Sequence, residues 1–247
     1  MVPFVNLPGV QANQLRLTSE LVVDIFLGKL TRWNDPRLAA QNDGLRLPDL
    51  PVMPVHRSNV SGTTFMFTTY LLRVSDAWRD GPRAGTTVQW PVGAGEANRD
   101  AVLAKVRGTP GAISYMEAHF ARADRLATAL LRNRAGAFVS PDNTSFAKAA
   151  AAADWTPANF IVEMVDLDAE GAWPIVSPTF IFMPTNPAAE KVAASRNTMK
   201  FFDWAFRNAA APTTEIGFVP LPSSVQASVH EAWRRVKGPD GQPVWEA

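Results

Sequence analysis

Val52-Met53-Pro54-Val55-His56-Arg57-Ser58-Asn59-Val60-Ser61-Gly62-Thr63-Thr64-Phe65-Met66-Phe67-Thr68-Thr69-Tyr70-Leu71-Leu72 is the stretch that decides the fold. Val52 to His56 reads as a strand, with Pro54 favouring an edge or an irregular end. Arg57 to Gly62 is a polar turn. Thr63 to Leu72 is apolar at helical spacing through Phe65, Phe67, Tyr70 and Leu71. A strand that runs through a short turn straight into a helix is the unit of α/β architecture. The same alternation continues on both sides. Val2 to Val5 reads as a buried strand stopped by Asn6-Leu7-Pro8-Gly9. Leu17 to Leu30 reads as a helix that Thr18 or Ser19 can cap. Further along, Gly85 to Trp90 and Ala112 to Tyr115 read as strands, Pro91 to Glu96 as a turn, Arg99 to Arg107 and Glu117 to Ala121 as helices. Leu126 to Leu131 reads as one strand, Ser145 to Ala153 as a helix capped by Asn143 or Thr144. Trp173 to Met183 is strongly apolar and extended. Met199 to Phe206 and Leu221 to Val236 are helical. No repeat interrupts the pattern, so the fold class is α/β. Pro157 to Gly171, where periodicity fades and acidic residues gather, is the candidate domain crossing.

The turn is also where chemistry gathers. Backbone N–H groups at a helix start lack intrahelical partners and carry partial positive charge. Gly62 removes the side chain that would block close approach. Ser61, Thr63 and Thr64 supply hydroxyl donors, and Arg57 offers a planar fork for an oxyanion. No carboxylate sits in the loop. One reading is a site for a small tetrahedral oxyanion. The other is that Ser61 or Thr63 caps the helix and Arg57 is a surface charge.

Composition narrows the alternatives. The 247 residues are 47% hydrophobic and 19% charged, with 24 Lys plus Arg against 23 Asp plus Glu. That is an ordinary globular composition with no general electrostatic case for nucleic acid or an anionic membrane. The chain has no cysteine, so thiolate metal sites, disulfides and cysteine nucleophiles are excluded. Its three histidines, His56, His119 and His230, form no zinc motif. Asp166, Asp168 and Glu170 lack the glycine and terminal glutamate of a calcium loop. We therefore expect no metal and no cofactor. No apolar run reaches the roughly 20 residues of a membrane span, and no signal peptide is visible. Ser61 with His56 as base would be a hydrolase reading, but the G-x-S-x-G elbow is absent and His56 suits a backbone-bonded strand end. The aromatics from Phe201 to Phe206 read as core or interface packing.

The sequence resembles the phosphate-binding proteins of bacterial phosphate ABC transporters, the PstS type. The resemblance rests on collinear strings: Val5-Asn6-Leu7-Pro8-Gly9, Asp24-Ile25-Phe26-Leu27-Gly28-Lys29-Leu30-Thr31-Arg32-Trp33-Asn34-Asp35, His56-Arg57-Ser58 with Ser61-Gly62-Thr63, Thr87-Val88-Gln89-Trp90-Pro91, Pro110-Gly111-Ala112-Ile113, Ala172-Trp173-Pro174-Ile175 and Phe201-Phe202-Asp203-Trp204-Ala205. It implies a two-lobed type II periplasmic-binding-protein clamp that closes on one dehydrated phosphate. It places Arg57, Ser61, Gly62 and Thr63 on phosphate-holding positions, and implies no enzymatic activity. It also implies a periplasmic or lipid-anchored setting and a membrane permease driven by an ATPase as partner. Within that family, residues 1–10 are expected as a hinge strand and crossing. Residues 11–169 are expected as the phosphate-binding lobe, and residues 170–247 as the return crossing and part of the other lobe.

Three departures are visible. The family carries a further N-terminal segment, with a carboxylate that accepts the ligand's proton, ahead of the position of Val2. Its acid and glycine after the arginine are Asn59 and Val60 here. Its glycine-rich stretch after Trp90 is reduced to Gly93-Ala94-Gly95-Glu96-Ala97-Asn98. One lobe is therefore expected to be incomplete and the half-site to hold donors only. Binding should then be weak and poorly selective for phosphate over sulfate unless the missing segment or a second copy of the chain completes the site. The alternative is a truncated, non-transporting paralogue or fragment that acts through protein contacts.

Overall fold

The computed structural model describes residues 1–156 and 159–245. Pro157, the expected start of the crossing, lies outside them. The chain divides into two compact units, Met1–Ala152 with Met164–Ser177, and Ala153–Glu163 with Pro178–Ala247.

The first unit runs β1 (Val2–Val5), β2 (Arg16–Leu17), α1 (Ser19–Phe26), α2 (Pro36–Ala39), β3 (Met53–Arg57), α3 (Gly62–Val74), α4 (Asp76–Asp80), β4 (Ala94–Glu96) and α5 (Arg99–Arg107). It continues through β5 (Ala112–Met116), α6 (Ala118–Ala123), β6 (Ala127–Thr128), β7 (Leu130–Arg132), β8 (Phe138–Val139), α7 (Asn143–Ala152), β9 (Met164–Val165) and β10 (Ile175–Val176). The main sheet has the order β4-β3-β5-β1-β6. β3 runs parallel to both β4 and β5, whereas β1 is antiparallel to β5 and β6. All four residues of β1 are buried, as its uninterrupted apolar run requires. Trp33, Trp78, Tyr70, Phe4, Phe26 and Phe67 form the fully buried centre. Phe67 stacks on Tyr115 at 4.1 Å and meets Phe26 edge-on at 4.9 Å.

Helix α1 starts where Thr18 Oγ1 accepts from Leu21 N. It ends at Gly28, whose φ of +74° and close approach to Val92 exclude a side chain.

Several sequence expectations are corrected. Gly85 to Trp90 is not a strand. Gly85 N donates to Thr68 Oγ1 and Thr86 O accepts from Ser61 N, so the segment's bonds go to the start and side of α3. The strand lies in the neighbouring stretch read as a turn: Ala94 to Glu96 pairs with Val55 to Arg57. Gly95 permits this, because a Cβ there would lie 3.2 Å from the His56 ring. Leu126 to Leu131 is not one strand. The chain pairs with β1 at Ala127 and Thr128, then with β2 at Leu130 and Leu131. Helix α7 starts at Asn143, and Asp142 Oδ1 accepts from Ser145 N in the capping place expected of Asn143 or Thr144.

The second unit contains α8 (Ala189–Asn208), α9 (Ala210–Glu215) and α10 (Ser223–Trp233). Its core is Met199, Trp233, Val236, Val244 and Trp245, with Phe202 and Phe206 packed against it. The apolar stretch from Trp173 is extended only as far as Ile175 and Val176, which pair with β9 in the first unit. In the second unit Phe180, Ile181 and Phe182 are 38%, 52% and 86% exposed, so apolar character there does not mark a buried strand.

Candidate functional site

The parallel run of β4, β3 and β5 sets the carboxyl ends of three strands, at Glu96, Arg57 and Met116, along one edge. Helices α3 and α5 begin at that edge, at Gly62 and Arg99. The crevice outside strand carboxyl ends is where open α/β sheets hold ligands. Both helix starts are capped. Ser61 Oγ accepts from Thr64 N at 3.2 Å, and Asn98 Oδ1 accepts from Ala101 N at 2.9 Å. Ser61 N is also used, donating to Thr86 O at 2.9 Å. The N–H groups of Gly62 and Thr63, at the first two helical positions, have no intrahelical acceptor. Nothing lies within 4 Å of where a Gly62 Cβ would stand, so the space beside the turn at that position is open.

A cavity of about 330 Å³ opens at this edge, and Arg57 and Thr63 line it. Ser61 and Gly62 do not; they form the turn that carries Thr63 into place. The lining residues that were not anticipated include Arg99, Ser114 and Glu117. Glu117 follows β5 directly and stands at the N-cap position of α6 without capping it. Its carboxylate instead accepts from Thr63 Oγ1 at 2.5 Å. The expectation of a donor-only site is therefore wrong, because an acceptor reaches it from the next strand's end. The signal was present in the sequence as a second strand-to-helix junction, Tyr115-Met116-Glu117-Ala118, parallel to the first.

Arg57 has no carboxylate ion-pair partner among the described residues. Its Nη2 donates to Ala97 O at 3.3 Å, and its Nε is buried with no partner. Ser114 Oγ is likewise buried and unpartnered. A buried donor left unmade costs on the order of 1–3 kcal/mol. Arg99 lies 3.8 Å above the Phe120 ring and pairs with Asp100 at 2.7 Å. Tyr115, whose hydroxyl meets Thr64 Oγ1 at 2.8 Å, has its pKa pushed up to about 12 by burial. It is a neutral phenol at any ordinary pH.

His56 and Ser61 do not form a nucleophile–base pair. His56 Nδ1 faces Arg57 O at 3.2 Å, and its ring stacks on Trp90 at 4.7 Å. Burial lowers its pKa below the ordinary histidine value. Among the described residues no group of three or more His, Asp or Glu side chains is placed to hold a metal ion.

Residues 2–209 match the PBP superfamily domain. The phosphate-binding protein PstS of Pasteurella multocida is 40% identical over 247 aligned residues, which cover 99% of this chain and 71% of that protein. The chain belongs to the PstS family. The PstS of Haemophilus influenzae is 38% identical, with 95% of this chain and 70% of that one covered. The PstS of Xylella fastidiosa (strain Temecula1) is 41% identical, and this chain spans 64% of its length. The PstS fold appears among solved structures as well. A human phosphate-binding apolipoprotein has a TM-score of 0.67 at 19% identity, covering 93% of this chain and 69% of that one. The periplasmic phosphate-binding protein PfluDING, bound with phosphate, has a TM-score of 0.64 at 21% identity, covering 93% and 68%. The fold is that of a type II periplasmic binding protein.

Proposed function

We propose that the chain binds inorganic phosphate as the substrate-binding component of a phosphate ABC transporter, outside the cytoplasmic membrane and against a membrane permease. The observation that carries this reading is the Arg57 guanidinium without a carboxylate partner, beside the open N-terminus of α3 in a cavity of the first unit. Arg57, the Gly62 and Thr63 N–H groups and the Thr63 hydroxyl supply donors, and Ser61 holds the turn. Membership of the PstS family and that donor set support the same ligand. Among the described residues no helix is long and apolar enough to cross a membrane.

Glu117 sharpens the choice of anion. When Thr63 turns its hydroxyl to the ligand, the Glu117 carboxylate is left facing it. A carboxylate is acceptor-only. It is satisfied by phosphate, which carries a proton at neutral pH, and repels sulfate, which does not.

Calorimetric titration with phosphate tests the reading. Arg57→Ala should weaken binding by about 10- to 100-fold, the worth of charge-assisted hydrogen bonds. A variant that titrates like the wild type overturns it. A second reading, a paralogue acting through protein contacts, is favoured by the exposed Phe182, Ile216, Phe201 and Trp204 of the second unit. It predicts no phosphate binding by the wild type in the same titration.

A further inference from the structure

The start of α3 is held from behind by residues that do not line the cavity. Gly85 to Trp90, the segment that forms no strand, is tied to α3 at two points. Ser61 N donates to Thr86 O at 2.9 Å, and Gly85 N donates to Thr68 Oγ1 at 3.2 Å. Thr68 is fully buried one turn into the helix. The nearest acceptor for its one proton is Thr64 O, at 2.8 Å. A threonine inside a helix often bonds back to the carbonyl four residues before it. Here the same oxygen also takes a donor from outside the helix, so one hydroxyl joins the segment to the first turn. Gly85 suits this place, because a Cβ there would lie 2.7 Å from Thr87 O. At the other end of the segment the Trp90 ring stacks on His56 at 4.7 Å and on Tyr115 at 5.9 Å. His56 precedes Arg57 on β3, and the Tyr115 hydroxyl meets Thr64 Oγ1 at 2.8 Å. The segment is therefore a strap anchored to the cap of α3, to its first turn and to the residue before Arg57.

We propose that Thr68 is a positioning residue for anion binding. It acts through the Gly85–Thr86 strap on Ser61, and so on the direction of the Gly62 and Thr63 N–H groups. The role rests on the phosphate reading and adds to it a residue that touches no ligand. Donors fixed in their bound geometry before the anion arrives spare the cost of ordering them on binding. The strap also occupies the Ser61 N–H, so the N–H groups offered to the anion begin at Gly62.

The test is calorimetric titration of the full chain with inorganic phosphate, beside amide hydrogen exchange of the free protein followed by NMR. Thr68→Val keeps the shape of the side chain and removes the hydroxyl. It should weaken phosphate binding about tenfold, the worth of one good hydrogen bond. Thr68→Ser restores the hydroxyl and should restore the affinity. In Thr68→Val the Ser61 amide should exchange faster while the amides of β1 keep their wild-type rates. A Thr68→Val chain that titrates like the wild type overturns the positioning role and leaves the phosphate reading standing. So does an affinity loss that Thr68→Ser fails to restore, or one accompanied by equal acceleration at β1, which marks a residue that serves stability alone. In the wild type itself, a Ser61 amide that exchanges at an unprotected rate overturns the strap, a measurement that needs no variant to fold. Failure of inorganic phosphate to bind the wild type overturns the phosphate reading and the positioning role with it.

Discussion

Helices α3 and α8 put aromatic residues to opposite uses. α3 spans 13 residues, buries Phe67 and Tyr70 among five side chains, and is capped by a serine whose turn carries Thr63 into the cavity. α8 spans 20 residues, has only Ser195 and Met199 buried, and starts with no side-chain cap. Its Phe201 and Trp204 stand 59% and 57% exposed. In α3 the aromatic spacing meets a mixed sheet, so Phe67 and Tyr70 are fully buried and the helix start is left at the sheet edge. In α8 four aromatics within six residues cover more than one face of the helix, and its own unit offers only a small cluster to receive them. Aromatic density therefore reports a need for burial, while the layer that the topology supplies decides whether the need is met.

The largest effect expected from this contrast is on stability. Trp33 of the first unit is fully buried, and its indole N–H donates to Gly111 O at 2.8 Å. Trp33→Ala should cost about 3–5 kcal/mol, chiefly from the cavity it leaves, because Gly111 O keeps Met53 N as a donor. Trp204→Ala removes the same side chain from a half-exposed helix face and should change stability by less than about 0.5 kcal/mol. Urea unfolding followed by circular dichroism at 222 nm measures both. Equal losses would show that α8's aromatic face is as fully packed as the centre of the sheet.

The same contrast explains what was legible in the sequence. The strand-to-helix turn could be read because its groups are close in sequence: Arg57, Ser61, Gly62 and Thr63 lie within seven residues. Glu117 was signalled only by its place at a second strand-to-helix junction, because it meets Thr63 through the parallel register of β5 with β3, 60 residues on from Arg57. Ser114 was hidden the same way, as a small polar residue inside a buried strand. Helices α1, α3, α5 and α7 were legible from their spacing, whereas α4 was not read and the start of α7 is held by Asp142. The loop from Gly85 to Trp90 was not legible, because side-chain and backbone bonds to α3 override its strand-like composition. The apolar run past Ser177 misled for the reason α8 shows: it had no layer to enter.

The acceptor from β5 should set selectivity. Glu117→Gln keeps an oxygen for the Thr63 hydroxyl and removes the charge, and its amide can donate. Competition calorimetry should show the phosphate-to-sulfate affinity ratio falling about tenfold, by improved sulfate binding. An unchanged ratio would place the discrimination elsewhere. Ser61 should show a smaller effect of a different kind. Its oxygen caps α3, so Ser61→Ala should lose about 1 kcal/mol of stability in urea unfolding. Its loss of phosphate affinity should be smaller than that of Arg57→Ala, because the Gly62 and Thr63 N–H groups remain. A larger loss of affinity than from Arg57→Ala would make Ser61 the principal anion ligand.

The smallest effect belongs to His56, at the strand end beside the anion loop. Burial is the larger influence and lowers its pKa, while the bond to the Arg57 carbonyl works in the opposite direction. The folded chain therefore takes up this proton at lower pH than the unfolded chain does. The resulting stability is fully present above the unfolded value of about 6.5 and is lost as pH falls through the folded one. His119 has its pKa lowered by burial too, so the wild type's acid sensitivity contains both groups. His56→Phe separates them, because a phenyl ring can keep the stack on Trp90 and cannot titrate. Urea unfolding at pH 7.5 and pH 5 should show a smaller drop in the variant than in the wild type, by less than the cost of Ser61→Ala. Identical drops in the two proteins would assign the proton uptake to groups other than His56 and leave His56 as a packing residue.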